Sequence, residues 1–181
     1  LRLDPKHLNK YIQQEYFQIP TFDDVVSKLG GSHVFTILDQ KDAYWQVELD
    51  EPSADLCTFS TPFGRYKFLR MAFGISSASE VQQKKTFQVF GDIPGVYVVA
   101  DDMLLAAKDQ AEHDSILRTV LNRARDYGIK FNLKKTQLRQ TEVFYMGVRV
   151  SQRGIQPDKE KVQAIVEMRC QNQLTRTVLG D

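Results

Sequence analysis

Cysteine and histidine are scarce in this chain. Cys57 and Cys170 lie far apart, and neither pairs with His7, His33 or His113 at the spacing of metal ligands. That leaves no basis for a disulfide framework or a zinc site, and the histidines read as structural. Long apolar runs are missing as well. Nothing approaches the roughly 20 residues needed to cross a bilayer, and no signal-peptide pattern opens the chain, so it reads as soluble and intracellular, with no membrane partner. A dominant charge is also absent: 24 Lys and Arg against 23 Asp and Glu leave a formal net charge of +1. Such a balance provides no global attraction to nucleic acid, so any polyanion must be met by a local patch. Between Arg118 and Arg153 nine basic residues face only Asp126 and Glu142. That segment is either such a patch or a set of solvated helix and hairpin faces.

What is present is enough for a core. At 181 residues, 42% hydrophobic and 10% aromatic, the chain fits one globular domain or one and a fraction. It opens on "LRLDPKHLNK", in mid-pattern and without methionine, which reads as a piece of a longer polypeptide. Turn signals fall at "GGS" (Gly30 to Ser32), "DIPG" (Asp92 to Gly95), Gly128 and "RGIQPD" (Arg153 to Asp158). Between them the periodicity changes. "VFTIL" (Val34 to Leu38) is β-branched and apolar, a buried strand that delivers Asp39 at its end. "SASE" (Ser77 to Glu80) is a capping box opening a helix to about Phe90.

"VYVVADDMLLAA" (Val96 to Ala107) then sets two apolar runs around Asp101 and Asp102, an antiparallel hairpin with the aspartates as its turn. Asp109 and Glu112 cap a second helix, with His113, Ile116, Leu117, Val120, Leu121, Ala124 and Tyr127 on one face and Gly128 as terminator. "IKFNL" (Ile129 to Leu133) is a further strand. The order is strand, helix, strand, strand, helix, strand: the ferredoxin-like βαββαβ core of an α+β fold.

Topology then brings the acids together. In such a sheet the first and second strands run parallel and the third lies antiparallel between them, so Asp39 and the Asp101–Asp102 turn share one edge. Three carboxylates a few ångströms apart repel one another strongly in a medium of low dielectric. Hard divalent cations relieve the repulsion, and all-oxygen ligands favour Mg²⁺ or Mn²⁺ over zinc. Two such ions form the clamp used in nucleotidyl transfer. An acidic turn beside a strand-end aspartate that merely caps a neighbour is the plainer alternative.

Seven stretches in order carry a resemblance along nearly the whole chain: "LDPKHLNK" (Leu3 to Lys10), "IPT" (Ile19 to Thr21), "LDQKDAYWQVELD" (Leu38 to Asp50), "FSTPFGRYKFLRMAFGISSA" (Phe59 to Ala78), "ADDMLL" (Ala100 to Leu105), "EHD" (Glu112 to Asp114) and "GIQPDKEKVQAI" (Gly154 to Ile165). Together they resemble the reverse transcriptase domain of gypsy-type LTR retrotransposon polyproteins. The resemblance implies a right-hand polymerase palm (34–44 and 76–168), partial fingers and connections (1–33 and 45–75), a degenerate tail (169–181) and no thumb. It implies RNA- or DNA-templated DNA synthesis with dNTPs, a template–primer partner, and Pol neighbours (protease, RNase H, integrase) in a cytoplasmic virus-like particle.

Residue by residue, the resemblance implies that Asp39, Asp101 and Asp102 are catalytic and hold two Mg²⁺ or Mn²⁺ ions, with the Gln40 carbonyl as a further ligand. Asp42 and Ala43 match the backbone near the triphosphate, and Tyr44 a steric gate against the ribose 2′-hydroxyl. Phe73 and Gly74 match a nucleotide and template contact, and Lys135 a lysine near the triphosphate that would protonate pyrophosphate. Phe144, Tyr145, Met146 and Gly147 ("FYMG"), on the second strand of an expected hairpin, resemble the primer grip.

Departures from the pattern are specific. Ala72 and Ser79 stand where the family usually has proline, and Val99 where many members have tyrosine. Gln82 replaces a usual phenylalanine, placing a polar group on a helix face expected to pack. A decayed or co-opted domain that holds nucleic acid without polymerising is the alternative function. Another two-metal enzyme of this topology, such as a nucleotide cyclase, is a third, although "TPFG" and "FGISSA" have no reason to occur there.

Overall fold

A four-stranded antiparallel sheet organises the molecule, in the order β4-β5-β1-β6. Its strands are β1 (Val34–Asp39), β4 (Val96–Val99), β5 (Asp102–Ala107) and β6 (Gln137–Gln140), with α3 (Ala78–Phe90) and α4 (Gln110–Asp126) as the crossover helices. Strands β1 and β4 lie on either side of β5, each antiparallel to it, as the βαββαβ order requires. The computed structural model describes residues 4–13, 16–18, 20–157 and 163. The expected tail 169–181, Cys170, Ile19 of "IPT" and nearly all of "DKEKVQAI" lie outside the described residues.

The apolar runs of β1 and β5 are explained by burial on both faces. Leu38, Met103 and Leu105 face Val89, Phe90, Val120 and Ala124 of the two helices. Their neighbours Phe35, Ile37, Leu104 and Ala106 face the other way. There they meet Val25 of α1 (Phe22–Val26) and Val143, Tyr145 and Val150 of a three-stranded sheet formed by β7 (Glu142–Tyr145), β8 (Val148–Ser151) and β9 (Gly154–Pro157). Each strand therefore has no polar face, and alternation is invisible in its sequence. Gly95, at φ 80°, seats β4 against β5, since a Cβ there would meet the Ala106 carbonyl oxygen at 2.7 Å.

Helix α2 (Glu51–Leu56) is paired through Glu51 and Asp55 to Lys67 of the hairpin β2 (Thr58–Thr61) and β3 (Gly64–Lys67), with Phe63 exposed at the hairpin tip.

Several expectations need correction. The strand expected at Ile129–Leu133 is a single bridge, Gln40 to Phe131, and the fourth strand is "QLRQ" at Gln137–Gln140. All four of its residues are exposed, so it lacks the apolar signature that the earlier run carries. Helix α3 does begin after Ser77, but no capping box forms. Ser77 sits at φ −92° and ψ 8°, away from the extended conformation from which a hydroxyl reaches the helix amides. A capping box forms instead at Thr21 and Asp24. On α4 the Asp109 cap is present, and His113, Val120 and Ala124 are buried, whereas Leu121 and Tyr127 are exposed. His113 is indeed structural: its Nε2 lies 2.8 Å from the Thr36 hydroxyl on β1.

Candidate active site

Asp39 ends β1 and stands directly opposite Asp102, the first residue of β5. The backbone N–H of Gln40 donates to the Asp101 carbonyl at 2.8 Å, so all three aspartates are drawn to one sheet edge. The hairpin turn is shifted by one residue from expectation. Val99 pairs with Asp102, so Ala100 and Asp101 make the turn, with Ala100 at φ 52°. A left-handed alanine costs about 1–2 kcal/mol, and alanine in the sequence carries no hint of it.

A cleft of about 290 Å³ opens beside these residues, lined by Asp39, Gln40, Asp42, Ala43, Tyr44, Phe73, Asp101 and Lys135. The segment after β1 turns back sharply because Asp42 adopts a left-handed conformation (φ 52°, ψ 49°) and starts a 3₁₀ turn at Ala43–Gln46. Tyr44 is held by a 2.9 Å hydrogen bond between its hydroxyl and that of Ser79, and by edge-on contact with Phe73 at 5.2 Å. Gly74 follows at φ 106°, and its carbonyl accepts from the Asn9 amide at 2.9 Å. A larger cavity of about 420 Å³, lined by Val47, Leu49, Met71 and Ile75, lies away from the aspartate turn.

Electrostatics follow from this crowding. Burial first, then the charge of Asp39, pushes the Asp101 and Asp102 carboxyls above the usual range, while Lys135 opposes the shift. Both side chains still touch solvent, so the burial is that of surrounding cleft walls rather than enclosure. Lys135 donates to Asp39 at 2.9 Å, and that bond and charge hold its ammonium above its ordinary range. The Lys135 side chain is 65% exposed. Asp39 itself is only 13% exposed in its side chain, so the pair joins a largely sheltered acid to a lysine that solvent reaches freely.

Among the described residues no three His, Cys, Asp or Glu side chains stand as a ready-made cage for a metal ion. The donor chemistry nonetheless fits one. The acids supply only oxygen, two of them are penalised by charge already there, and the cation paired with Asp39 is a largely exposed lysine.

The "FYMG" segment lies elsewhere than expected in its hairpin. Phe144 and Tyr145 end β7, the first strand, and Met146 and Gly147 form the turn, at φ 49° and 81°. Phe144 and Met146 are each 41% exposed, whereas Tyr145 is buried at 2%. Among the described residues the Tyr145 hydroxyl has no hydrogen-bond partner, and burial together with the charge of Asp102 pushes its pKa up. An orphaned buried hydroxyl costs about 1–3 kcal/mol. Tyr145→Phe should therefore raise the denaturant midpoint with an unchanged slope; a lower midpoint would mean that the hydroxyl has a partner.

Sequence reasoning missed several residues around the cleft. Lys41 and Asn132 also line it, and the Asn132 N–H donates to the Asp39 carbonyl at 2.8 Å. The Gln46 amide clamps the Lys41 and Lys130 backbones together. Asparagine inside "IKFNL" was a usable turn signal; nothing marked Gln46. The basic segment is also less available than its composition implies. Arg123 pairs with Asp92, Lys135 with Asp39, Arg139 with Asp114 and Arg149 with Glu142.

An antiparallel ferredoxin-like sheet with acids at the ends of its two central strands is the arrangement of a polymerase-type palm, and the family match separates it from other enzymes of this topology. The chain belongs to the reverse transcriptase (RNA-dependent DNA polymerase) family, whose model it matches over residues 1–150. It is 36% identical over 162 residues to an uncharacterized protein, K02A2.6, of Caenorhabditis elegans, covering 90% of this chain and 13% of that protein. It is 30% identical over 167 residues to the retrovirus-related Pol polyprotein from transposon 412 of Drosophila melanogaster, covering 91% of this chain and 14% of that protein. The chain thus spans only a small part of the length of these relatives. Among solved structures, the foamy viral protease-reverse transcriptase dRH in complex with double-stranded DNA superposes with a TM-score of 0.81 at 21% identity. The match covers 88% of this chain and 28% of that one. The foamy viral protease-reverse transcriptase in complex with an RNA/DNA hybrid gives 0.78 over 87% of this chain and 21% of that one, also at 21% identity. Among the described residues no helix is long and apolar enough to cross a membrane.

Proposed function

We propose that the chain is the palm and part of the fingers of a gypsy-type LTR retrotransposon reverse transcriptase, adding dNTPs to a primer 3′-hydroxyl on an RNA or DNA template. The observation that carries this reading is the convergence of Asp39, Asp101 and Asp102 at one strand end beside a cleft floored by Tyr44 and Phe73. It favours a polymerase over a co-opted binding domain, which would need no such cluster. In this reading 34–44 and 76–168 are palm, 1–33 and 45–75 fingers and connections, and 169–181 a tail.

Asp39, Asp101, Asp102 and the Gln40 carbonyl would hold two Mg²⁺ or Mn²⁺ ions. Bound there, the ions would activate the 3′-hydroxyl and neutralise charge on the departing pyrophosphate. The amides of Asp42 and Ala43 open a helical turn, where they lack intrahelical acceptors, and in this reading they would donate to phosphate oxygens. Lys135, once released from Asp39, reaches the same cleft as a cation for the triphosphate and a proton donor to pyrophosphate. Tyr44 would block a 2′-hydroxyl, while Phe73 and Gly74 would meet the nucleotide and template. Phe144, Met146 and Gly147, with the backbone of Tyr145, would grip the primer. The partners are a template–primer and the remaining Pol segments, within a cytoplasmic particle.

The test is templated extension. Carried in its full-length Pol protein, the domain should add only the complementary dNTP to a labelled primer, dependent on Mg²⁺ or Mn²⁺. Absence of templated product would remove the polymerase reading. The bare 181-residue chain should bind template–primer weakly and extend it poorly, because much of its basic segment is paired internally and phosphate contacts carry most of the affinity. Processive extension by the bare chain at moderate salt would show that its nucleic-acid contacts lie elsewhere.

A further inference from the structure

Helix α3 carries two adjacent glutamines on its buried face. Gln82 is 2% exposed and Gln83 fully buried, and Thr86, one turn on, is 5% exposed. Across from them Gln40, the residue after Asp39, is 6% exposed. Four buried polar side chains on a face expected to be apolar need an account, since each would be costly if unpaired.

All four are paired, and the pairing reaches the residues next to the acids, Gln40 and Ala100. Gln82 Nε2 donates to Gln40 Oε1 at 2.8 Å and to the Thr86 hydroxyl at 3.1 Å, and Gln40 Nε2 donates to the same hydroxyl at 3.2 Å. A longer contact, 3.4 Å, runs from Gln82 Nε2 to the Ala100 carbonyl. Gln83 Nε2 donates to the Val98 carbonyl at 2.9 Å, and the Ala100 N–H donates back to Gln83 Oε1 at 2.6 Å. One 13-residue helix thus holds the residue after Asp39 and both backbone groups of Ala100.

We propose that Gln82, acting with Gln40 and Thr86, is a positioning residue that locks the Asp39–Gln40 strand end and the Ala100–Asp101 turn to α3, presetting the carboxylates for divalent ions. The inference rests on the two-ion reading. Such a lock has work to do: the carboxylates repel one another, and Ala100 is left-handed, so an untethered turn relaxes by spreading the acids. Outer partners of metal ligands typically change ion affinity about 10- to 100-fold when removed. Gln82→Leu keeps size and helix propensity but removes the bond to Gln40 Oε1 and the contact to the Ala100 carbonyl, leaving Thr86 on Gln40 and Gln83 on the Ala100 N–H. Thr86→Val removes only the shared hydroxyl.

The probe is Mn²⁺, titrated into the intact chain and read from the EPR signal of the free ion, at a temperature where circular dichroism shows each variant folded. Gln82→Leu should weaken Mn²⁺ binding about 10-fold, with Thr86→Val shifted in the same direction by less. A merely structural role would lower the thermal midpoint and leave the affinity of the folded chain unchanged, and that result overturns the proposal. Should Gln82→Leu not fold, an unaltered affinity in Thr86→Val has the same force. Wild-type binding that is lost in Asp101→Asn but indifferent to Gln82 and Thr86 would sink this inference alone. Wild-type binding that is absent, or indifferent to Asp101, would take the two-ion reading down with it.

Discussion

Asp101→Asn should abolish most primer extension, by at least about a hundredfold, and yet make the metal-free protein more stable. The first effect follows from the proposed role, since an amide cannot supply an anionic ligand where transition-state charge is balanced. The second follows from the local field. Burial and then Asp39 push the Asp101 carboxyl above its ordinary range, so its ionised form is disfavoured by folding. That penalty is present above the raised pKa and fades as pH falls through it, because the folded wild type then takes up the proton. The thermal midpoint of the variant should therefore exceed that of the wild type near neutral pH in the presence of a chelator. The gap should close on acidification. A variant that loses activity and midpoint together would have lost its fold rather than a ligand, and near-wild-type extension would remove Asp101 from catalysis.

Tyr44→Val should raise ribonucleotide incorporation relative to deoxyribonucleotide by roughly 10- to 100-fold, the scale on which a side-chain volume discriminates a small group. The ring is well placed for exclusion. Its hydroxyl is tied to Ser79 and its edge to Phe73, so it cannot swing aside without breaking both contacts. Single-nucleotide extension with paired rNTP and dNTP series measures the ratio. Tyr44 also packs against a small cluster containing Val47, Met71 and Ala78. An unchanged ratio with lowered stability would assign the ring to that cluster alone.

The βαββαβ order and the convergence of the three aspartates were legible because they rest on strong local signals. Strand β1 and both arms of the β4–β5 hairpin are apolar runs of strand length, and α4 has a true cap at Asp109. What was illegible depended on distant neighbours. "QLRQ" becomes a strand only because β1 offers it an edge, and nothing in its own composition says so. The turn was displaced by one residue because aspartate advertises turns and alanine does not, although the glutamines of α3 hold Ala100 in place. Gln82 looked like a defect for the same reason. Its partners lie 42 residues away at Gln40 and four away at Thr86, and only folding brings the first within reach.

The pairing of Asp39 with Asp102 also sets a rule for insertions and deletions. Strands β1 and β5 run six residues in unbroken antiparallel register from Val34 opposite Ala107 to Asp39 opposite Asp102. A single residue gained or lost within either strand would rotate every side chain beyond it to the opposite face, exchanging buried for outward positions and carrying one aspartate away from the other. The exposed tip of the β2–β3 hairpin at Phe63 bears no such count. Length variation among natural copies should therefore collect at that tip and be absent from Val34–Asp39 and Asp102–Ala107.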